Sequence, residues 1–189
     1  MRMTIGYIIF GLIVVVAGYL IAVYNSLVSN KNMVAEGWSG IDVQLRRRAD
    51  LVPNLIETVK GYAGHEDKLF RDMAELRAKS IAGGSVADQS AVGQAMSAAL
   101  GRVFAIAEAY PNLKADANFR DLQDKLSVIE DEIQLSRRYY NGTVRNFNTK
   151  IESFPSNLIA NNFHFTKAEF FDIGDVAARE VPKVDFKQR

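Results

Sequence analysis

The chain has 189 residues, 23 basic and 22 acidic, and a formal charge of +1, with no cysteine and two histidines. That length suffices for one domain with a real core, and the charge balance removes the electrostatic basis for binding nucleic acid. The absence of cysteine excludes disulfides, thiolate metal sites, cysteine nucleophiles and lipid attachment at Cys, and His65 and His164 alone leave little for zinc, so no cofactor or metal is expected.

The first element is apolar. From Met3 to Asn30 no side chain is charged, and Ile5 to Val23 is almost unbroken Ile, Val, Leu, Phe, Tyr, Ala and Gly. About 20 such residues at ~1.5 Å each just cross a ~30 Å hydrocarbon core, so one membrane helix is expected, with residues 5–24 against the lipid bilayer. A cleaved signal peptide is the competing reading. It is disfavoured because the apolar run is too long and no small-x-small cleavage site closes it. Tyr19 and Tyr24 suit an interfacial belt. Arg2 precedes the span, and Lys31 is the only cation in the twenty residues after it, which points the domain away from the cytoplasm. Arg46 to Arg48 argue the other way.

The remainder reads as helix nearly throughout. Val34, Trp38, Ile41 and Leu45 step at helical spacing, and Leu55, Val59, Tyr62, Phe70, Met73 and Arg77 continue in similar fashion. Val92, Met96, Ala99, Val103, Ile106 and Tyr110 form the next stripe. The longest stripe is Phe119, Leu122, Leu126, Ile129, Ile133, Tyr140, Val144, Phe147 and Ile151, a helix of about 35 residues or ~50 Å. Pro53 is expected to kink or restart the helix, Ala82-Gly83-Gly84-Ser85 to end the second, and Tyr110-Pro111-Asn112 to end the third. Asp116 or Asn118 can cap the fourth, which Phe154-Pro155 ends. Between Tyr24 and Leu51 only Gly37 and Gly40 oppose helix, so the first soluble helix can continue the membrane helix. The fold class is all-α: a transmembrane anchor over 1–28, a long-helix antiparallel bundle over 29–153, and an extended tail over 154–189. In that tail Phe163, Phe165, Phe170 and Phe171 are expected to dock on the bundle as strand or extended chain, with Arg179 to Arg189 frayed.

No segment carries a catalytic signature. His65-Glu66 begins a zinc-protease pattern, but Leu69 stands where the second histidine belongs. Gly83-Gly84 lacks the following Lys and Ser or Thr of a phosphate loop, and Asn141-Gly142-Thr143 matches a glycosylation pattern inside a helical stripe. The densest segment runs from Glu36 to Leu55 and holds the only tryptophan, Trp38, and the only basic triplet, Arg46, Arg47 and Arg48. An anionic-lipid clamp is disfavoured by magnitude. On a continuous helix Arg46 lies about 33 Å beyond Tyr24, whereas a surface potential decays over ~8–10 Å. Pairing with acids on a neighbouring helix or subunit, such as Glu130, Asp131 and Glu132, is the better reading.

At these residues the chain resembles the LemA family of bacterial membrane proteins. The resemblance rests on Trp38-Ser39 through Arg47-Arg48-Ala49-Asp50-Leu51-Val52-Pro53-Asn54-Leu55, Thr58 to Ala63 with His65-Glu66, Tyr110 to Ala115, Asn118-Phe119, Leu122-Gln123, Arg137 to Asn141 and Phe154-Pro155-Ser156. It implies an anchor plus a long-helix bundle at the bacterial inner membrane, with no catalytic residues to carry over. Some members resemble lipoproteins, with a Cys after the apolar segment that this chain lacks. Exported members favour a periplasmic or extracytoplasmic domain, and one relative is linked to building magnetosome membranes.

The reading is therefore a non-enzymatic, self-associating bundle that organises membrane or partner proteins. Its candidate interaction residues are Trp38, Arg46, Arg47, Arg48 and Asp50, because Trp and Arg most often dominate interfaces. The competing account of that segment is intrachain: Trp38 under the tail aromatics, and the triplet paired with acids on the fourth helix. Two alternatives stand beside the scaffold: an accessory module binding a membrane protease or sensor kinase, and an enzyme with an unrecognised carboxylate site at Glu57 or Glu66.

Overall fold

A computed structural model describes residues 2–64 and 66–171. The expectations for His65, and for the frayed end within 172–189, lie outside the described residues. Six helices follow in order: α1 Arg2–Lys60, α2 Asp67–Ala82, α3 Val86–Ala107, α4 Pro111–Ala115, α5 Ala117–Glu152 and α6 Ser156–Asn162. All regular structure among the described residues is helical.

α1 is one continuous helix of 59 residues. Among the described residues its N-terminal third meets no other element, and the large apolar side chains from Ile5 to Ile21 are exposed. α3 is also long and apolar enough to cross a membrane, but its Met96, Leu100 and Val103 are buried in the bundle core.

The restart expected at Pro53 does not occur. Proline lacks the amide that would bond the carbonyl four residues back, at Ala49. Arg77 Nε, from α2, donates to that carbonyl at 3.1 Å instead. The break falls at 61–66, between Lys60 and Asp67. The apolar stripe from Leu55 to Arg77 runs across that turn, which therefore left no trace in the periodicity. Ser85 caps α3 in a reciprocal box with Asp88, and the Asp116 carboxylate caps α5 by accepting from the Asn118 and Phe119 amides.

α1 and α5 run antiparallel in a single register. Tyr62 bonds Asp116, Arg48 bonds Glu130, and Lys150 bonds Ser26. Between these pairs, a methyl placed on Gly37 would sit 3.2 Å from the Tyr140 Cα, so the two backbones approach closely where no side chain intervenes. The core lies in three stretches along this pair. α2, α3 and α4 close the lowest around Val52, Leu55, Met73, Val103 and Leu126. The middle one holds Ile41, Leu45, Ile133, Tyr140 and Phe171. In the uppermost, α6 packs Ile159 and Ala160 on Leu27, Phe147 and Ile151. The segment expected to be extended from 154 onward thus begins with a short helix.

After α6 the chain turns at Phe163 and His164, whose amides bond back to α6 carbonyls, and an extended strap, 165–171, lies along α5. Asn148 Nδ2 donates to the Ala168 carbonyl and the Ala168 amide donates back to Asn148 Oδ1, both at 2.9 Å. Asn141 makes the same pair with Phe171, at 3.1 and 2.9 Å. Seven helical residues rise about 10.5 Å and three extended ones about 10 Å, so two asparagines two turns apart match backbone groups three strap residues apart. Of the four phenylalanines expected to dock on the bundle, Phe171 is buried and Phe165 half-buried, while Phe163 and Phe170 are exposed.

Candidate interaction site

The structure divides the segment from Trp38 to Asp50 between core and surface. Trp38 is half-buried, with its ring 5.7 Å from that of Tyr140 and 6.2 Å from that of Phe171. The strap therefore covers it. The Tyr140 hydroxyl donates to the Glu169 carbonyl at 2.8 Å, and burial pushes its pKa up.

Arg48 is 2% exposed. Its Nη1 meets Glu130 Oε1 at 2.5 Å and Ser97 Oγ at 2.9 Å, and its Nη2 donates to the Gly93 carbonyl at 3.2 Å. Ser97 Oγ also donates to Glu130 Oε2 at 3.0 Å. One guanidinium thereby ties α1 to α3 and α5. A methyl at Gly93 would lie 3.6 Å from Arg48 Nη2, in ordinary van der Waals contact with it. Beside this cluster opens a cleft of about 570 Å³, lined in part by Gln134, Arg137 and Phe171. The Arg137 guanidinium lies 5.7 Å from the Phe171 ring centroid.

The other two arginines point outward. Arg46 Nε pairs with Asp42 at 2.9 Å, one turn back on the same helix, and Arg47 Nη1 donates to Gln44 at 3.2 Å. Asp50 is exposed. Of the five candidate residues, two are thus committed within the chain, while Arg46, Arg47 and Asp50 share an outer surface.

That surface continues onto α5. Val128, Leu135 and Tyr139 are 60, 50 and 53% exposed and recur at spacings of seven and four, a stripe on the side of α5 away from its core face. Tyr139 reaches α1: its Cδ1 lies 3.4 Å from where a methyl on Gly37 would be, and Gly40, one turn along, faces open space. Glu132 lies two turns before Tyr139, and Arg47 two turns beyond Gly40. The antiparallel register sets these opposite charges at one level. Periodicity could not single out this stripe, because the eye follows the stronger core stripe on the same helix. Among the described residues no three His, Asp or Glu side chains converge as a metal site.

An apolar leading helix on an antiparallel bundle, with its conspicuous tryptophan and arginine turned to structural use, defines a membrane-associated helical protein. The chain belongs to the LemA family, whose model matches residues 37–186. It is 26% identical over 165 residues to Protein LemA of Metamycoplasma hominis, covering 85% of this chain and 72% of that one. It is 24% identical over 174 residues to Magnetosome protein MamQ 2 of Paramagnetospirillum magneticum and 23% identical over 174 residues to Magnetosome protein MamQ of Magnetospirillum gryphiswaldense. Both matches cover 78% of this chain, which spans 64% of the length of each MamQ relative.

Proposed function

We propose that this protein is a self-associating bundle, anchored in the bacterial inner membrane, that organises membrane or partner proteins without catalysing a reaction. The observation that carries the reading is the outer face of the α1–α5 pair, where exposed Val128, Leu135 and Tyr139 adjoin the open Gly40 and are flanked by Arg47 and Glu132. A face carrying both an apolar stripe and opposite charges is self-complementary under a two-fold axis, Arg47 of each copy meeting Glu132 of the other. Confinement by one span raises the effective concentration of such faces. The similarity to proteins named for the magnetosome agrees with an organising role.

The test is a charge swap. Arg47→Glu should shift the native mass toward the single chain while leaving helical circular dichroism intact, and adding Glu132→Arg should restore it. An Arg47→Glu protein of unchanged mass overturns this interface. Arg48 takes no part in the swap because its pairing is intrachain.

The same reading places the bundle outside the cytoplasm, on the contrast between Arg2 and the cation-poor stretch after the span. Ala82→Cys, exposed at the end of α2 and outside the Ser85 cap, should react with an impermeant maleimide in intact spheroplasts. Labelling only after lysis contradicts that orientation.

A further inference from the structure

The apolar span ends at Val23, and the bundle begins within the same helix, with no linker to hold it away from the bilayer. The antiparallel register extends past the last pair, Ser26 with Lys150, and sets the α5–α6 turn opposite Val23 and Tyr24. Val23 packs on the uppermost core, and Tyr24 packs on Phe163 with ring centroids 4.8 Å apart and the rings tilted by 56°. At this end of the bundle large apolar side chains are exposed beside the polar Glu152, Ser153, Asn161 and Asn162. Phe154 is 78% exposed, Leu158 60% and Phe163 55%. Leu158 points away from the core side of α6, where Ile159 and Ala160 are buried. Three large apolar side chains more than half exposed at one end are unusual for a surface facing water.

We propose that the turn from Phe154 to Phe163 is a second membrane contact, seated in the headgroup and upper acyl region of the phospholipid bilayer beside the span. Two observations carry this beyond bare exposure. The patch is continuous with the apolar span through Val23, Tyr24 and Phe163. The rigid register also fixes its depth at the end of the hydrocarbon-length segment, where aromatic side chains partition and interfacial helices bury their apolar faces about 5–10 Å deep. Lys150 and Lys167, bonded to Ser26 and Glu152, stand at the same end, at headgroup height. The contact fixes the tilt of the bundle, so that the outer face of α1 and α5 stands across the membrane surface, open to neighbours. The inference rests on the span lying in the bilayer and is independent of self-association.

The test uses the full chain in vesicles of phosphatidylcholine with one quarter phosphatidylglycerol. Because the protein has no cysteine, Phe154→Cys, Leu158→Cys, Val14→Cys and Ala82→Cys each accept a single NBD label. Phe154 and Leu158 are exposed, so neither replacement empties the core. At 154 and 158 the emission should be blue-shifted, and quenching by nitroxide-bearing lipid several-fold stronger than at 82. Emission and quenching equal to those at 82 overturn the contact. So does a blue shift without lipid quenching, which would mean that protein covers the turn. Quenching at Val14 alone leaves the span in place and removes only this contact, whereas no quenching at Val14 removes both.

Discussion

Arg77 Nε donates at 3.1 Å to the Ala49 carbonyl, the acceptor that Pro53 deprives of its helical partner. Ala49 is 2% exposed, so water does not substitute. Replacing Arg77 by Met should cost about 1–3 kcal/mol, the usual penalty for a buried polar group left unpaired. Pro53→Ala returns an amide to the same carbonyl. In that background Arg77→Met should cost clearly less in chemical denaturation. Equal costs in the two backgrounds would show that Arg77 acts by packing alone.

A second prediction concerns Arg48 and Glu130. Glu130→Gln leaves a buried guanidinium with its Ser97 and Gly93 partners but no counter-charge. Loss of one partner of a buried pair costs ~3–5 kcal/mol, and the 30% exposure of the Glu130 side chain lowers this to about 2–3. Asp131→Asn, one residue on, should change the unfolding free energy by less than about 0.5 kcal/mol. Similar effects from both would contradict the assigned partner.

Much of this architecture was legible beforehand. Leu126 and Ile133 are buried, as the stripe on the long helix requires, and Glu130, one of three successive acids able to pair with the arginine triplet, bonds Arg48. The sequence could not choose among Glu130, Asp131 and Glu132, because successive helical side chains diverge by about 100° and only the register with α1 selects one. The strap left no signal either. Asn141 and Asn148 act through amides matched to a backbone that has no pattern of its own, and Asn141 lay within a glycosylation-like triplet. The turn at 61–66 was hidden by a stripe that happens to stay in phase across it. Pro53 does not break the helix because its consequence is repaired by Arg77, a residue distant in sequence.

The strap gives a third prediction. Asn148→Ala removes both bonds to Ala168 and should raise amide exchange across 165–171 by an order of magnitude or more, with the exchange of α2 and α3 unchanged. Two bonds of about 1 kcal/mol each set that scale. Unchanged protection would mean that Phe171 and Tyr140 hold the strap alone.

Acid should loosen the helix starts. Hydrogen bonds from the Phe119 amide, Tyr62 and the Asn118 amide hold Asp116 below the ordinary carboxylate range against an opposing effect of desolvation, and the Ser85 hydroxyl and amide do the same for Asp88. A lowered folded-state pKa contributes stability that is fully present above the unfolded value of ~4 and is lost as pH falls through it toward the folded value. Melting temperature should therefore drop across that acid window. Asp116→Asn, which keeps a capping oxygen but cannot titrate, should flatten part of the drop. An identical acid limb in the variant would contradict the role of this carboxylate.

The central claim is that the α1–α5 outer face joins copies of this chain, and the most direct measurement is the native mass of the full-length protein in mild detergent. A defined mass at a whole multiple of 21.0 kDa, after subtraction of detergent, is the predicted result. A protein that stays at 21.0 kDa across the concentration range, with Val128, Leu135 and Tyr139 still open to solvent, would contradict it.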